Sequence, residues 1–279
     1  MVYDRAPEVG TSLVNVATGE RRWIARWFGT PAGDRIAVFD PLAAATRIVD
    51  WYGRVEAELA TGAGAVASSP DGRRLAWLEV ADERLPSSAI GRLATVVVYD
   101  TVEQRTYRLG QLRVGAVAWS GDGAHLVLIA ETADGAQAGI WAAEAPWTQF
   151  RWIASGRFFV NLQPVPYSTE VVVTRVLSGE ATQDGVWLID AVDGTARALA
   201  IAPSYRVADG TIVVLDDPER ALLQVYRLDD LRPCGSTHLT EPVAVDTWDV
   251  APDGQWIAYW SAASQRVLVE RLPTCEVAD

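Results

Sequence analysis

Few side chains in this sequence have the chemistry to make or break bonds. Histidine occurs twice, as His125 and His238, and cysteine twice, as Cys234 and Cys275. His125 falls inside an apolar run and His238 beside a polar one, and neither has a partner at the spacing a zinc site uses. No Gly-x-Ser-x-Gly stretch offers a nucleophile elbow. A lysine-bearing phosphate loop is impossible, because all 24 basic residues are arginine. Asp and Gly stand next to each other in the chain's turn motifs, so the spacing of a sialidase-type Asp-box fails, and no Asp-x-Asp-x-Asp-Gly run provides a calcium loop. The expectation is a chain without catalytic or metal-binding residues and without a cofactor, a bound calcium ion being the one candidate.

What remains is carboxylates between apolar runs. Asp82 and Glu83 lie in the longest such loop, Glu131 and Asp134 in the next, then Asp184, then Asp216 and Asp217. If these loops open on one face, the carboxylates form a negative funnel that steers a basic protein or peptide, or holds calcium. Arg84, Arg92, Arg175 and Arg220 in the same loops oppose that field. A chain with net charge −12 also looks acidic wherever it is sampled, and that charge argues against a nucleic-acid partner.

The elements that would carry those loops show themselves as a repeat. Ser69-Pro70-Asp71-Gly72 precedes Arg74-Leu75-Ala76-Trp77; Ser120-Gly121-Asp122-Gly123 precedes His125-Leu126-Val127; Ala251-Pro252-Asp253-Gly254 precedes Trp256-Ile257-Ala258-Tyr259. Asp-Gly suits a tight hairpin turn, because its central positions need a positive φ that glycine adopts without strain. Around these turns runs a four-strand phrase: a strand into the turn, an apolar strand, a variable loop, and a more polar hairpin. Short runs rich in Val, Ile, Tyr and Trp between turn signals are an all-β pattern. Recurrence of the phrase favours radially arranged four-stranded sheets over a sandwich or two small barrels.

The expectation is one β-propeller of six four-stranded blades, near 25–60, 64–109, 114–153, 158–199, 200–240 and 245–277. The hairpin at 11–24 would close the ring by joining the sixth blade. A seven-bladed ring with its first two strands upstream of Met1 is the alternative. Trp77, Trp119, Trp141, Trp187, Trp248 and Trp260 would fill the wedges between sheets. Cys234 and Cys275 occupy matching positions in neighbouring repeats, too far apart for the ~4.4–6.8 Å Cα separation of a disulfide, so free thiols are expected.

With these turns in view, the chain resembles the TolB-like, or WD-repeat-like, propellers. Their repeat reads small/aromatic-Ser-Pro-Asp-Gly-x-x-Leu/Ile-Ala-Tyr/Trp. Ser69–Trp77 and Ala251–Tyr259 match it closely, and Trp119–Val127 matches with Gly121 in the proline position. That family includes periplasmic partner-binding proteins and the gating propellers of prolyl-oligopeptidase-type and tricorn-type proteases. The resemblance implies architecture and a bias toward protein binding. Its motif residues are structural, so it assigns no functional residue. The expected function is a non-catalytic protein- or peptide-binding scaffold; the alternative is a propeller hydrolase or protease-accessory domain working through acidic or calcium-binding loops. No apolar run reaches the ~18 residues of a membrane span, and the first residues lack a signal-peptide core. A soluble cytoplasmic chain is expected, or a periplasmic or extracellular one if an export segment was removed.

Overall fold

A computed structural model describes residues 11–14, 21–25, 29–32, 35–40, 42–60, 66–80, 90–176, 184–217, 219–261 and 263–275. Every regular element among them is a β-strand, and all pairing is antiparallel. β1 (Thr11–Val14) and β2 (Arg21–Ala25) pair with each other. β3 (Gly29–Ala32), β4 (Arg35–Asp40), β5 (Ala45–Val49) and β6 (Val55–Ala60) form a four-stranded sheet in sequence order.

Next come β7 (Ala67–Ser68), β8 (Arg74–Val80), β9 (Arg92–Asp100) and the long β10 (Arg105–Trp119). β10 serves two sheets. Its first part pairs with β9, and its end, from Arg113 to Trp119, pairs with β11 (His125–Glu131). With β12 (Ala138–Glu144) and β13 (Arg151–Ser155) this makes one seven-stranded ladder. A break between strands was expected there, near residues 109–114. The strand runs through because its register shifts twice, past Arg108 and past Val114, which turns it from one sheet into the next. Gly91 and Gly115 allow this. A Cβ on Gly91 would lie 1.9 Å from the Val114 carbonyl oxygen, and one on Gly115 would lie 2.4 Å from that of Ile90.

β14 (Phe159–Pro164), β15 (Glu170–Arg175), β16 (Gly185–Asp190) and β17 (Ala196–Leu199) form another four-stranded sheet. β18 (Tyr205–Ala208), β19 (Thr211–Asp217), β20 (Leu222–Arg227) and β21 (Pro233–His238) repeat it. The last sheet holds three strands among the described residues: β22 (Val243–Val250), β23 (Trp256–Ser261) and β24 (Arg266–Arg271). Among the described residues no fourth strand joins that sheet, and β1 and β2 pair with each other.

The first strands of successive sheets, β3, β7, β10, β14, β18 and β22, each touch the next. Packing between the sheets explains the continuous apolar runs. In β11, Leu126 and Leu128 pack toward Val96, Val98 and Trp119, whereas Val127 and Ile129 pack toward Val171, Val173 and Ile189. Successive side chains point to opposite faces, so an apolar run serves a strand covered on both sides. Each fully buried side chain of this kind contributes about 1.5–3 kcal/mol. Trp77, Trp119, Trp141 and Trp248 are buried in these seams; Trp187 and Trp260 are half-buried.

The turns that start each second strand are fixed by their own side chains. The Ser69 hydroxyl donates to Asp71 Oδ1 (2.6 Å), which also accepts the Arg73 N–H (3.0 Å), while Ser69 Oγ accepts the Arg74 N–H (2.9 Å). Ser120 and Asp122 repeat the arrangement, and Asp253 Oδ1 accepts the Gln255 N–H. Partial burial works to raise the Asp71 carboxyl, but the Ser69 hydroxyl, the Arg73 N–H and two arginines outweigh it and hold the group below the usual carboxylate range.

Arginines bolt one sheet to the next. Arg74 Nη1 donates to the Gly123 carbonyl (3.0 Å), and its guanidinium lies 5.5 Å from the centre of the Trp147 ring. Arg151 and Arg197 hold equivalent places on β13 and β17, and they donate to the Ala191 and Leu228 carbonyls of the following sheet, each at 2.9 Å. Arg206 reaches the Trp248 carbonyl at 3.0 Å. Replacing Arg151 or Arg197 by alanine is expected to cost about 1–2 kcal/mol, read as a lower urea midpoint. An unchanged midpoint in both variants would show that these bonds are idle.

Tyr205 adds a polar tie inside the core. It is fully buried, its hydroxyl donates to the Asn161 carbonyl at 3.0 Å, and burial pushes the phenol up to about 12. In the unfolded chain the phenol returns to about 10. Its contribution is therefore complete below that value and lost as the pH rises through the folded one. Denaturation midpoints should fall between pH 10 and pH 12, and Tyr205→Phe should remove this part of the dependence. An identical alkaline slope in the variant would refute the assignment.

The cysteines depart from expectation. Cys234 and Cys275 form a disulfide, with Cα atoms 4.7 Å apart. Repeat-equivalent positions would be too distant, but the chain after β24 does not repeat the path taken by β21. The Leu272 N–H donates to the Gln255 carbonyl, and the tail then passes beside Gly235, where an added Cβ would meet Pro273 at 3.1 Å. That path brings Cys275 to Cys234 on the outer strand of the preceding sheet.

Candidate binding groove

The loops that join second to third strands carry the carboxylates singled out above. Asp82 and Glu83 lie outside the described residues. Glu131 is buried at the end of β11, its carboxylate 4.0 Å from Arg113 Nε. Asp134 is a turn former: Oδ1 accepts the Thr132 hydroxyl (2.6 Å) and the Ala136 N–H (3.0 Å). The Thr132 hydroxyl is the chief cause that holds this carboxyl below its usual range. Thr132-Ala133-Asp134-Gly135 thus copies, at the opposite end of the strand, the geometry of Ser69-Pro70-Asp71-Gly72. Asp217 Oδ1 accepts the N–H groups of Glu219 and Arg220, both at 3.0 Å. Asp184 and Asp216 are exposed. Among the described residues no three His, Cys, Asp or Glu side chains gather as metal ligands would.

Two concave sites lie at the other end of the strands. The smaller, about 180 Å³, adjoins the cis Ala145–Pro146 bond. One wall is His125, whose Nε2 lies 3.3 Å from Glu144 Oε2 and whose buried Nδ1 has no hydrogen-bond partner among the described residues. His238 is exposed, with Nδ1 3.1 Å from the Arg220 carbonyl oxygen.

The larger site is an open groove of about 960 Å³ across the turns of three adjacent sheets. The β14–β15 turn gives Val165 to Ser168, the β18–β19 turn gives Asp209 and Gly210, and the β22–β23 turn gives Asp253 to Gln255. Arg227 to Asp229, after β20, and the tail Pro273–Cys275 complete the walls. Each wall is held in place. The Asp209 N–H donates to the Pro252 carbonyl (2.8 Å), joining two of the turns, and the Asp122 N–H donates to the Ser168 carbonyl (3.0 Å), fixing the third. The disulfide holds the tail.

Sequence reasoning placed function at the opposite end and did not single out Tyr167, Asp209 or Asp253. One signal was present. The fourth repeat has Tyr167-Ser168-Thr169 where others have Asp-Gly, and Tyr167 adopts φ +60 without being glycine. A bulky residue in that region is uncommon and marks a place where surroundings dictate the backbone.

No protein-family model matches the chain, and no curated protein matches it. Solved structures do resemble it. The oligogalacturonate lyase of Vibrio parahaemolyticus is similar at 11% identity and TM-score 0.65, over 92% of this chain and 81% of that one. The β-propeller domain of the Trilobed protease from Pyrococcus furiosus is similar at 13% and 0.58, over 89% and 84%. TolB from Acinetobacter baumannii is similar at 14% and 0.51, over 94% of this chain and 60% of that one. Such identities speak of fold alone. Together with the repeated antiparallel sheets and the chain of touching first strands, they identify this all-β protein as a β-propeller.

Proposed function

We propose that this propeller is a non-catalytic scaffold that binds a protein or peptide in the groove across its β14–β15, β18–β19 and β22–β23 turns. The observation that carries the reading is the groove itself: about 960 Å³, bounded by turns that hydrogen bonds and a disulfide hold in place. A preformed wall lowers the ordering cost of association. The similar structures bear names of enzymes as well as of TolB, so fold does not choose between classes. The reading takes the described sheets as six blades, with β10 counted in both sheets that it joins.

The disulfide supports an oxidising compartment, because thiols stay reduced in most cytosols. The scaffold is accordingly proposed for the periplasm or the cell exterior. Among the described residues no helix is long and apolar enough to cross a membrane.

Peptides selected from a random display library on the intact chain test the site. Their binding should be lost in Gln255→Trp, which fills the groove from an exposed position, and kept in Val102→Trp, on an exposed turn of another sheet. Selected peptides that bind both variants equally would overturn the assignment, as would a selection that yields none.

A further inference from the structure

We propose that the groove takes a cationic, extended segment of its partner, with Asp209 and Asp253 meeting arginine or lysine charge and Tyr167 covering the side chain. This rests on the reading of the groove as a docking surface. Four carboxylates line it against two guanidiniums, Arg197 and Arg227. Both guanidiniums are already engaged, Arg227 partly with a carboxylate of the groove itself. Arg227 sits between Asp229, at 2.8 Å, and Asp230, and Arg197 is anchored on the Leu228 carbonyl.

Asp209 and Asp253 differ. Both are exposed, they stand on the two turns that the Asp209 N–H to Pro252 bond holds together, and neither has an ion-pair partner among the described residues. Asp253 Oδ1 accepts the Gln255 N–H, and its second oxygen is uncommitted among the described residues. A cationic side chain that reaches these turns would meet carboxylates that no arginine of the described residues already pairs.

Tyr167 is a second, independent observation. The residue is 75% exposed and lines the same groove, on a backbone with φ +60. An exposed phenol in the same groove as uncommitted carboxylates offers its ring face to a guanidinium or ammonium. Charge and ring sit on different turns, so one compact cation does not meet them all. A chain with spaced cationic side chains does.

The test uses fluorescent pentapeptides that carry two arginines, two glutamates or two glutamines, titrated by anisotropy into the intact oxidised chain. The arginine probe should bind, and its affinity should fall as salt is raised. The Asp209→Asn/Asp253→Asn variant should bind it about tenfold more weakly, a loss of about 1.4 kcal/mol. Asparagine keeps the acceptor that the Gln255 N–H uses, so thermal melting should stay unchanged. Tyr167→Gly should weaken binding while raising the melting temperature, because glycine adopts φ +60 freely; a purely structural tyrosine would not separate the two. Equal binding of all three probes, with the double variant unaffected, overturns the cation proposal and leaves the groove reading standing. Arginine binding that persists in Gln255→Trp overturns the groove as its site. Absence of arginine binding overturns the proposal, while display-selected peptides still decide the groove.

Discussion

Gly121→Pro is expected to destabilise the protein by about 3 kcal/mol, although proline is the residue that two other copies of the turn carry. Pro70 and Pro252 occupy the same position in their turns. Gly121 is buried against the next sheet's turn, and a Cβ there would lie 1.8 Å from the Val165 carbonyl oxygen and 2.7 Å from the Tyr167 nitrogen. Those atoms are backbone, held by the Asp122 N–H to Ser168 bond and by the Ser168 N–H to Val165 bond, so they cannot swing aside as a side chain would. The variant must part the two turns and lose that contact. Pro70→Gly, the reverse exchange in the preceding turn, should cost only about 1 kcal/mol, through the entropy of the unfolded chain. Guanidinium denaturation of both variants checks the pair. Equal costs would show that proximity to the fourth repeat does not dictate the glycine.

Removing the disulfide should have an effect of similar size. Cys234 and Cys275 are separated by 41 residues, and closing a loop of that length removes about 4 kcal/mol of unfolded-chain entropy. Cys234→Ser/Cys275→Ser should show a correspondingly lower denaturation midpoint. Treatment with a phosphine reductant should lower the wild type to the same value and leave the variant alone. The tail that forms one groove wall should loosen in both, because the bond that ties Cys275 to β21 is lost. A wild type insensitive to reductant would contradict the link between this bond and stability.

These two cases also show what the sequence discloses. Turn chemistry is local, so Ser69–Gly72 and Ala251–Gly254 reveal themselves by residue type, and strands covered on both faces reveal themselves by unbroken apolar runs such as Leu126–Ile129. Where neighbouring sheets dictate the outcome, residue type is silent. Gly121 reads as a degenerate proline until the fourth turn is seen against it. Cys275 reads as a distant thiol until the tail is seen to turn at Leu272. β10 reads as two strands, ending near 109 and restarting near 114, whereas shifts of register let one strand turn from sheet to sheet.

The groove was illegible for the same reason. Tyr167, Asp209 and Asp253 are 42 and 44 residues apart along the chain, and only the juxtaposition of their turns makes one surface of them. Asp134, by contrast, stood out as a loop carboxylate, and the structure shows it engaged by Thr132 and Ala136 within its own turn.

Hydrogen exchange of the intact, oxidised chain, with and without the arginine pentapeptide, tests the central claim most directly. Docking in the groove predicts added protection in residues 165–168, 208–211 and 252–256, and none at the far end of the strands. Protection confined to the β11–β12 and β19–β20 turns, around Asp134 and Asp217, would place binding on the opposite face and contradict the account.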